Sequence, residues 1–235
     1  MALTNWLIAY HKLDWNSIAS VGWNGTDTSI TYSVGNGKIV QWAWFNWSAS
    51  LISIPDSASY KVTTEFTMNS WIKSSDTTWT GMIFSCINTD FSSWLPYAWY
   101  CYRYSANKLN TLVTKNNSPS AAIDVNDTWA TNICDGTFKM VTVIYDGTNI
   151  KSYVNWTLET TTAYSSTITY LTNNYPRIWC WTSDRVWTTN YFNGAIDEVW
   201  VWNRWITGAE LTELYNSWNW LAYPFWTNSN FLMFF

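Results

Sequence analysis

Short apolar runs alternate with polar residues along almost the whole chain, and turn residues interrupt them every few positions. Period-two alternation bounded by Gly, Asn, Asp, Pro or Ser marks half-buried strands. The pattern predicts strands over 8–13, 29–32, 43–46, 51–54, 66–73, 81–87, 98–104, 108–114, 138–146, 150–154, 158–162, 176–180 and 195–202. It predicts a single helix, over 207–216. There Thr207 can cap the first turn with Glu210 three residues on, and Ala209, Leu211 and Leu214 supply apolar contacts. Many short strands at this spacing point to an all-β sandwich or barrel rather than to βαβ units. No repeat or linker-like break divides the sequence. The expectation is one domain over 1–235, with its core over about 7–223 and a tail over 224–235.

Turn chemistry brings in the composition. Asn24-Gly25, Asn36-Gly37, Asp135-Gly136, Asp146-Gly147 and Asn193-Gly194 are tight-turn pairs, because glycine takes positive φ without a Cβ clash. Asn46-Trp47, Asn155-Trp156 and Asn219-Trp220 occupy equivalent places with tryptophan. The chain holds 21 Trp against nine Gly, whereas average usage gives about 16 Gly in this length. A UGA codon read as glycine in the source, but rendered as tryptophan, yields this pattern, and we read the turn tryptophans in that way. The alternative, a sugar-stacking surface, calls for tryptophans on one face of strands rather than in turns. If Trp47, Trp156 and Trp220 sit at positive φ, each Trp→Gly change should stabilise the protein by about 1 kcal/mol.

Charge and cysteine narrow the partners. Only 12% of residues are charged and the net charge is −4, so no Lys/Arg cluster is present to engage phosphates, and nucleic acid is not expected. Cys86, Cys101, Cys134 and Cys180 do not make a disulfide framework in 235 residues. One bridge between Cys86 and Cys101 is open if 81–87 and 98–105 form a hairpin; buried thiols are the other reading. Residues 1–13 lack the basic and apolar segments of a signal peptide. No stretch reaches the ~18 apolar residues of a membrane span.

The order of the segments carries a resemblance. Leu7-Ile8-Ala9-Tyr10-His11-Lys12-Leu13-Asp14, Phe66-Thr67-Met68-Asn69-Ser70-Trp71-Ile72-Lys73 and the run from Asp135 to Gly147 are similar to successive strands of the LamG-like jelly rolls. Ile150-Lys151-Ser152-Tyr153-Val154-Asn155 resembles the next hairpin, with Trp156 in a glycine place. Phe192-Asn193-Gly194-Ala195-Ile196-Asp197-Glu198-Val199, then Trp202-Asn203-Arg204, Glu210-Leu211 and Leu214-Tyr215-Asn216, resembles the closing segment. That family lies within the concanavalin A-like lectin/glucanase superfamily. The resemblance implies a jelly-roll β-sandwich of two antiparallel sheets with one short C-terminal helix, and its first and closing strands side by side. It places Trp15, Trp44, Trp47, Trp156 and Trp200 at usual or tolerated glycine positions, and Trp71 and Trp202 where tryptophan is usual.

The glucanases of that superfamily carry an E-x-D-x-x-E strand, with its carboxylates on one face, and this chain has none. Asp197 and Glu198 are adjacent, so on a regular strand they point to opposite faces, one bonding loop backbone and the other solvated. His11, the only histidine, has no evident Ser and Asp context for a triad. Catalysis is not expected. The resemblance implies one structural Ca²⁺ between the N-terminal loop and the closing strand, with Asp14 and Asp197 as ligands and carbonyls around 21–24. Ala19 stands where the family's loop commonly has an aspartate. Tyr100, Tyr102, Tyr104 and Arg103 form an aromatic run that could supply a carbohydrate-binding face; packing between the sheets is the other reading of its tyrosines.

The functional expectation is a non-catalytic, lectin-like recognition module that binds glycan at a cell or particle surface. Glycan or a surface protein would be its partner, and the chain could belong to a larger assembly. A structural or adhesive domain of a phage tail or cell envelope, without sugar specificity, is the competing reading, and a glycoside hydrolase a distant third. Either leading reading places the chain outside the cell or on a virion, although no signal peptide is visible.

Overall fold

The computed structural model describes residues 3–33, 37–78, 81–88, 98–115, 118–126, 131–168, 170, 174–178 and 191–215. Along the chain run β1 (Leu7–His11), β2 (Ala19–Val21), β3 (Thr26–Thr28), β4 (Thr31–Ser33), β5 (Trp42–Phe45) and β6 (Leu51–Ser53). Then follow β7 (Phe66–Lys73), β8 (Gly81–Asn88), β9 (Ala98–Ser105), β10 (Lys108–Lys115) and β11 (Ser118–Asn126). The last are β12 (Lys139–Tyr145), β13 (Asn149–Val154), β14 (Thr157–Ala163), β15 (Asn174–Ile178), β16 (Gly194–Trp202) and the helix α1 (Gly208–Tyr215). One sheet has the order β14-β13-β12-β7-β16-β1-β2, with β5 also on β16 and β4 on β5; the other runs β11-β10-β9-β8-β15-β6-β3. Neighbouring strands pair antiparallel throughout, and β1 lies beside β16 as the resemblance implied.

The two sheets meet on a buried core. Ala9, Phe66, Met68, Val141, Val143 and Val201 contribute from the first sheet, and Ile52, Ile83, Phe84, Val113 and Ile178 from the second. Alternation brings the intervening residues of the nine-stranded sheet to its outer face. There Tyr10, Trp71, Met140, Trp200 and Trp202 pack with Leu211, Leu214 and Tyr215 of α1. Trp71 stacks on Tyr215 with ring centroids 5.7 Å apart. The polar residues of β7 on this face tie down the segment before the helix. Thr67 Oγ1 donates to the Arg204 carbonyl at 2.9 Å and accepts from the Ile206 amide at 3.0 Å. The helix cap is the predicted one: Thr207 Oγ1 accepts from the Glu210 amide at 3.2 Å, and Glu210 Oε2 accepts from the Thr207 amide at 2.8 Å.

Several expectations are corrected. β2, β3 and β11 were not predicted. All three residues of Thr26–Thr28 are exposed, so no alternation announces it, and β11 contains Pro119, which argues against a strand from sequence. The β8–β9 register sets Cys101 opposite Ser85 and Cys86 opposite Tyr100, so the two cysteines are not directly paired; Cys86 is a buried thiol of the core.

The turn tryptophans are not held at positive φ. Trp6, at +60°, is the single tryptophan in that region among the described residues; Trp47 and Trp156 are outside it, and Trp220 lies outside the described residues. In the two described cases the asparagine makes the turn instead. Asn155 takes φ +54° itself, and Asn46 Oδ1 accepts from the Ser48 and Ala49 amides at 3.0 and 2.8 Å. Trp6, Trp15, Trp23, Trp44, Trp47, Trp156 and Trp205 are 41–68% exposed. By contrast Trp71 and Trp202 are buried, and so is Trp200, despite its glycine-like place in the sequence.

Candidate functional site

The closing strand β16 has two neighbours along one edge: Gly194–Ile196 pair with β5, and Val199–Trp202 pair with β1. Asp197 and Glu198 fall in the interval between them. The register of β16 against β7 slips there, and Glu198 adopts φ +53°, the mark of a β-bulge. Ile196 and Val199 both belong to the inter-sheet core. The extra residue therefore leaves Asp197 and Glu198 together on the outer side, where Asp197 is paired with Trp71 of β7. This overturns the opposite-face reading: the bulge breaks period two, and both acids are buried rather than one being solvated.

Their partners come from distant segments. Asp197 Oδ2 accepts from the Lys38 amide at 2.8 Å, and Asp14 Oδ1 accepts from the Gln41 amide at 3.0 Å. Residues 37–41 are thus held by both acids named from the sequence, and Lys38 Nζ rests over the Trp71 ring, 4.6 Å from its centroid. The Tyr10 hydroxyl donates to Glu198 Oε2. Asp197 Oδ1 and Glu198 Oε1 are buried and have no hydrogen-bond partner among the described residues.

Burial holds the Asp197 carboxyl well above the usual carboxylate range; the Asp14 charge adds to this, and the Lys38 and Ile39 amides oppose it. Burial also raises Glu198, reinforced by the charge of Asp197 and opposed by the Tyr10 hydroxyl. Close by on β1, His11 is buried, with Nδ1 3.1 Å from the Ser17 carbonyl, and burial lowers its imidazole to about 4. Two buried carboxylates with unpartnered oxygens make a hard donor set that fits Ca²⁺. Among the described residues no three Asp, Glu, His or Cys side chains converge to hold a metal. Backbone carbonyls and water would have to complete its shell.

A second feature opens at one end of the sandwich. Trp44, Lys73, Ser74, Ser75, Gly136 and Asn193 line a cavity of about 330 Å³, within the size range of small-ligand sites. Its floor is fixed: Ser74 Oγ donates to the Asn193 carbonyl at 2.7 Å, and Asn193 Nδ2 donates to Asp76 at 3.4 Å. Trp44 packs edge-on against Trp42 and keeps 41% of its surface open. A larger cavity of about 390 Å³ lies between Trp6 and Trp205. Two of its charged groups, Arg204 and Glu210, serve the fold, since they pair at 2.7 Å and Glu210 also caps α1. Tyr100, Tyr102, Arg103 and Tyr104 all lie on β9, between β8 and β10, and their side chains are outside the described residues.

Two facing antiparallel sheets, with a helix laid over the outer face of one, define a lectin-like jelly roll. Residues 46–212 match the concanavalin A-like lectin/glucanases superfamily, and the chain belongs to it. No curated protein sequence matches the chain. Among solved structures it is similar to domain 4 of AbnA, a GH43 extracellular arabinanase from Geobacillus stearothermophilus, in complex with arabinotriose. That match has TM-score 0.62 and 19% identity, over 88% of this chain and 96% of that one. It is also similar to the binding domain of Paraclostridial Mosquitocidal Protein 1, with TM-score 0.67 and 12% identity, over 90% and 52% of the two chains. The binding domain of Botulinum Neurotoxin DC in complex with SialylT gives TM-score 0.61 and 12% identity, over 92% and 52%. This chain spans about half the length of those two binding domains. Among the described residues no helix is long and apolar enough to cross a membrane.

Proposed function

We propose that the chain is a non-catalytic, lectin-like module that binds glycan at the surface of a cell or particle, outside the cell, alone or within a larger assembly. The cleft at Trp44 carries this reading. An exposed indole face beside Lys73, Ser75 and Asn193 offers a pyranose both an apolar surface and hydrogen-bond partners. Support from analogy comes from the similar arabinanase domain in complex with arabinotriose and the toxin binding domain in complex with SialylT. The same reading includes one structural Ca²⁺ at the bulge of β16.

The test is a glycan array followed by calorimetry on the best ligand, starting from arabinotriose and sialylated oligosaccharides. Asn193→Ala and Lys73→Ala are each expected to weaken binding about tenfold, the scale of a lost hydrogen bond to a charged or buried group. Trp44→Gly separates the indole from the polar groups. No glycan bound by the parent protein, or equal affinity in all three variants, would leave the structural or adhesive reading in its place.

A further inference from the structure

The family resemblance nominates Asp14 and Asp197 for calcium, but the geometry distributes the carboxylates differently. Asp14 is committed to the Gln41 amide through Oδ1 and is only half-buried. Asp197 gives Oδ2 to Lys38 and keeps Oδ1 without a partner. Glu198 gives Oε2 to Tyr10 and keeps Oε1 without a partner, at 1% exposure. The bulge at φ +53° is what brings this neighbour to the side of Asp197. Two adjacent acids shut away from water, each with one unused oxygen, are neutralised either by protonation or by a cation, and a divalent ion can use both oxygens at once.

We infer that Glu198, not Asp14, supplies the second carboxylate of the calcium site, with Asp197 Oδ1 and Glu198 Oε1 facing the ion. Asp14 acts as a positioning residue that holds residues 37–41 over the site. This rests on the calcium reading above and re-assigns its ligands. The Tyr10 hydroxyl orients Glu198 by occupying its other oxygen, a supporting role of the kind that tunes metal ligands from behind.

The experiment is calcium titration of the full chain by calorimetry, with terbium luminescence as a second readout. Asp197→Asn, Glu198→Gln, Asp14→Asn and Tyr10→Phe are compared with the parent. Asp197→Asn and Glu198→Gln are each expected to weaken binding about tenfold or more, since affinity follows the number of charged ligands. Asp14→Asn should stay within about threefold, and Tyr10→Phe should fall between. Should Glu198→Gln fail to fold, Tyr10→Phe decides: affinity unchanged there overturns the assignment. Loss in Asp14→Asn with Glu198→Gln unaffected also overturns it, while leaving the calcium reading in place. A parent protein that binds neither ion removes both.

Discussion

The inner face of the nine-stranded sheet carries Ala9, Met68, Val141, Val143 and Val201, whereas its outer face carries Tyr10, Trp71, Trp200 and Trp202. These aliphatic residues need only be apolar and of suitable volume, because the second sheet packs on them from a fixed distance. The outer residues depend on individual partners. Trp202 Nε1 donates to the Leu3 carbonyl at 2.7 Å, Tyr10 holds Glu198, and Trp71 meets both Lys38 and Tyr215. One sheet thus builds its scaffold mainly from aliphatics on one side, with Phe45, Phe66 and Tyr145 among them, and from a tryptophan-rich layer tied by polar contacts on the other. The candidate ion site belongs to that second side.

That contrast can be broken most directly by truncation. Trp202→Ala is expected to cost about 4 kcal/mol and Ile72→Ala, on the inner face, about 3 kcal/mol, both read from urea denaturation. If Trp202→Ala costs under about 1 kcal/mol, the outer cluster is a loose covering rather than a second core. The next effect is linked to pH. An unfolded His11 binds its proton near 6.5, but the native imidazole, lowered by burial, does so only near 4. The unfolded state therefore holds more protons between those values, so this contribution to stability is present above about 6.5 and lost as the pH falls towards 4. The expected size is on the order of 3 kcal/mol. Subtracting the pH profile of His11→Gln isolates it from the opposing carboxylates; identical profiles would show that the histidine is not held neutral.

Smaller effects sharpen the comparison. Thr207→Ala removes the helix cap and should cost about 1 kcal/mol. It should also alter the near-ultraviolet dichroism of the outer tryptophans without thinning the inner core. Trp6→Gly should gain up to about 1 kcal/mol, because Trp6 is 66% exposed at φ +60°. Trp47→Gly should change stability by less than about 0.5 kcal/mol, since the residue is exposed and Asn46 already makes the turn. A loss of several kcal/mol at Trp47 would mean that its ring packs in the folded protein.

Much of the scaffold was legible because alternation and turn residues are local signals. The strands over 66–73, 81–87 and 108–114 and the Thr207–Glu210 cap were predicted nearly to the residue, since each follows from side-chain period or from a four-residue pattern. Asp14 and Asp197 were named through resemblance as calcium ligands, and the structure brings both to residues 37–41. The cleft at Trp44 was not foreseen. Its lining comes from 44, 73–75, 136 and 193, and no spacing in the sequence unites them.

By itself, then, the sequence determined the strand periods, the helix cap, the family and the low-charge surface, all of which depend on residues close along the chain. The tertiary structure alone decided the face of Glu198. A strand residue's side is set by counting in twos, and a single bulge, stabilised by β1 and β5 pairing on either side of it, resets that count. It also decided that the aromatic residues of β1, β7 and β16 form a packed layer, because only the return of α1 over the sheet removes them from water.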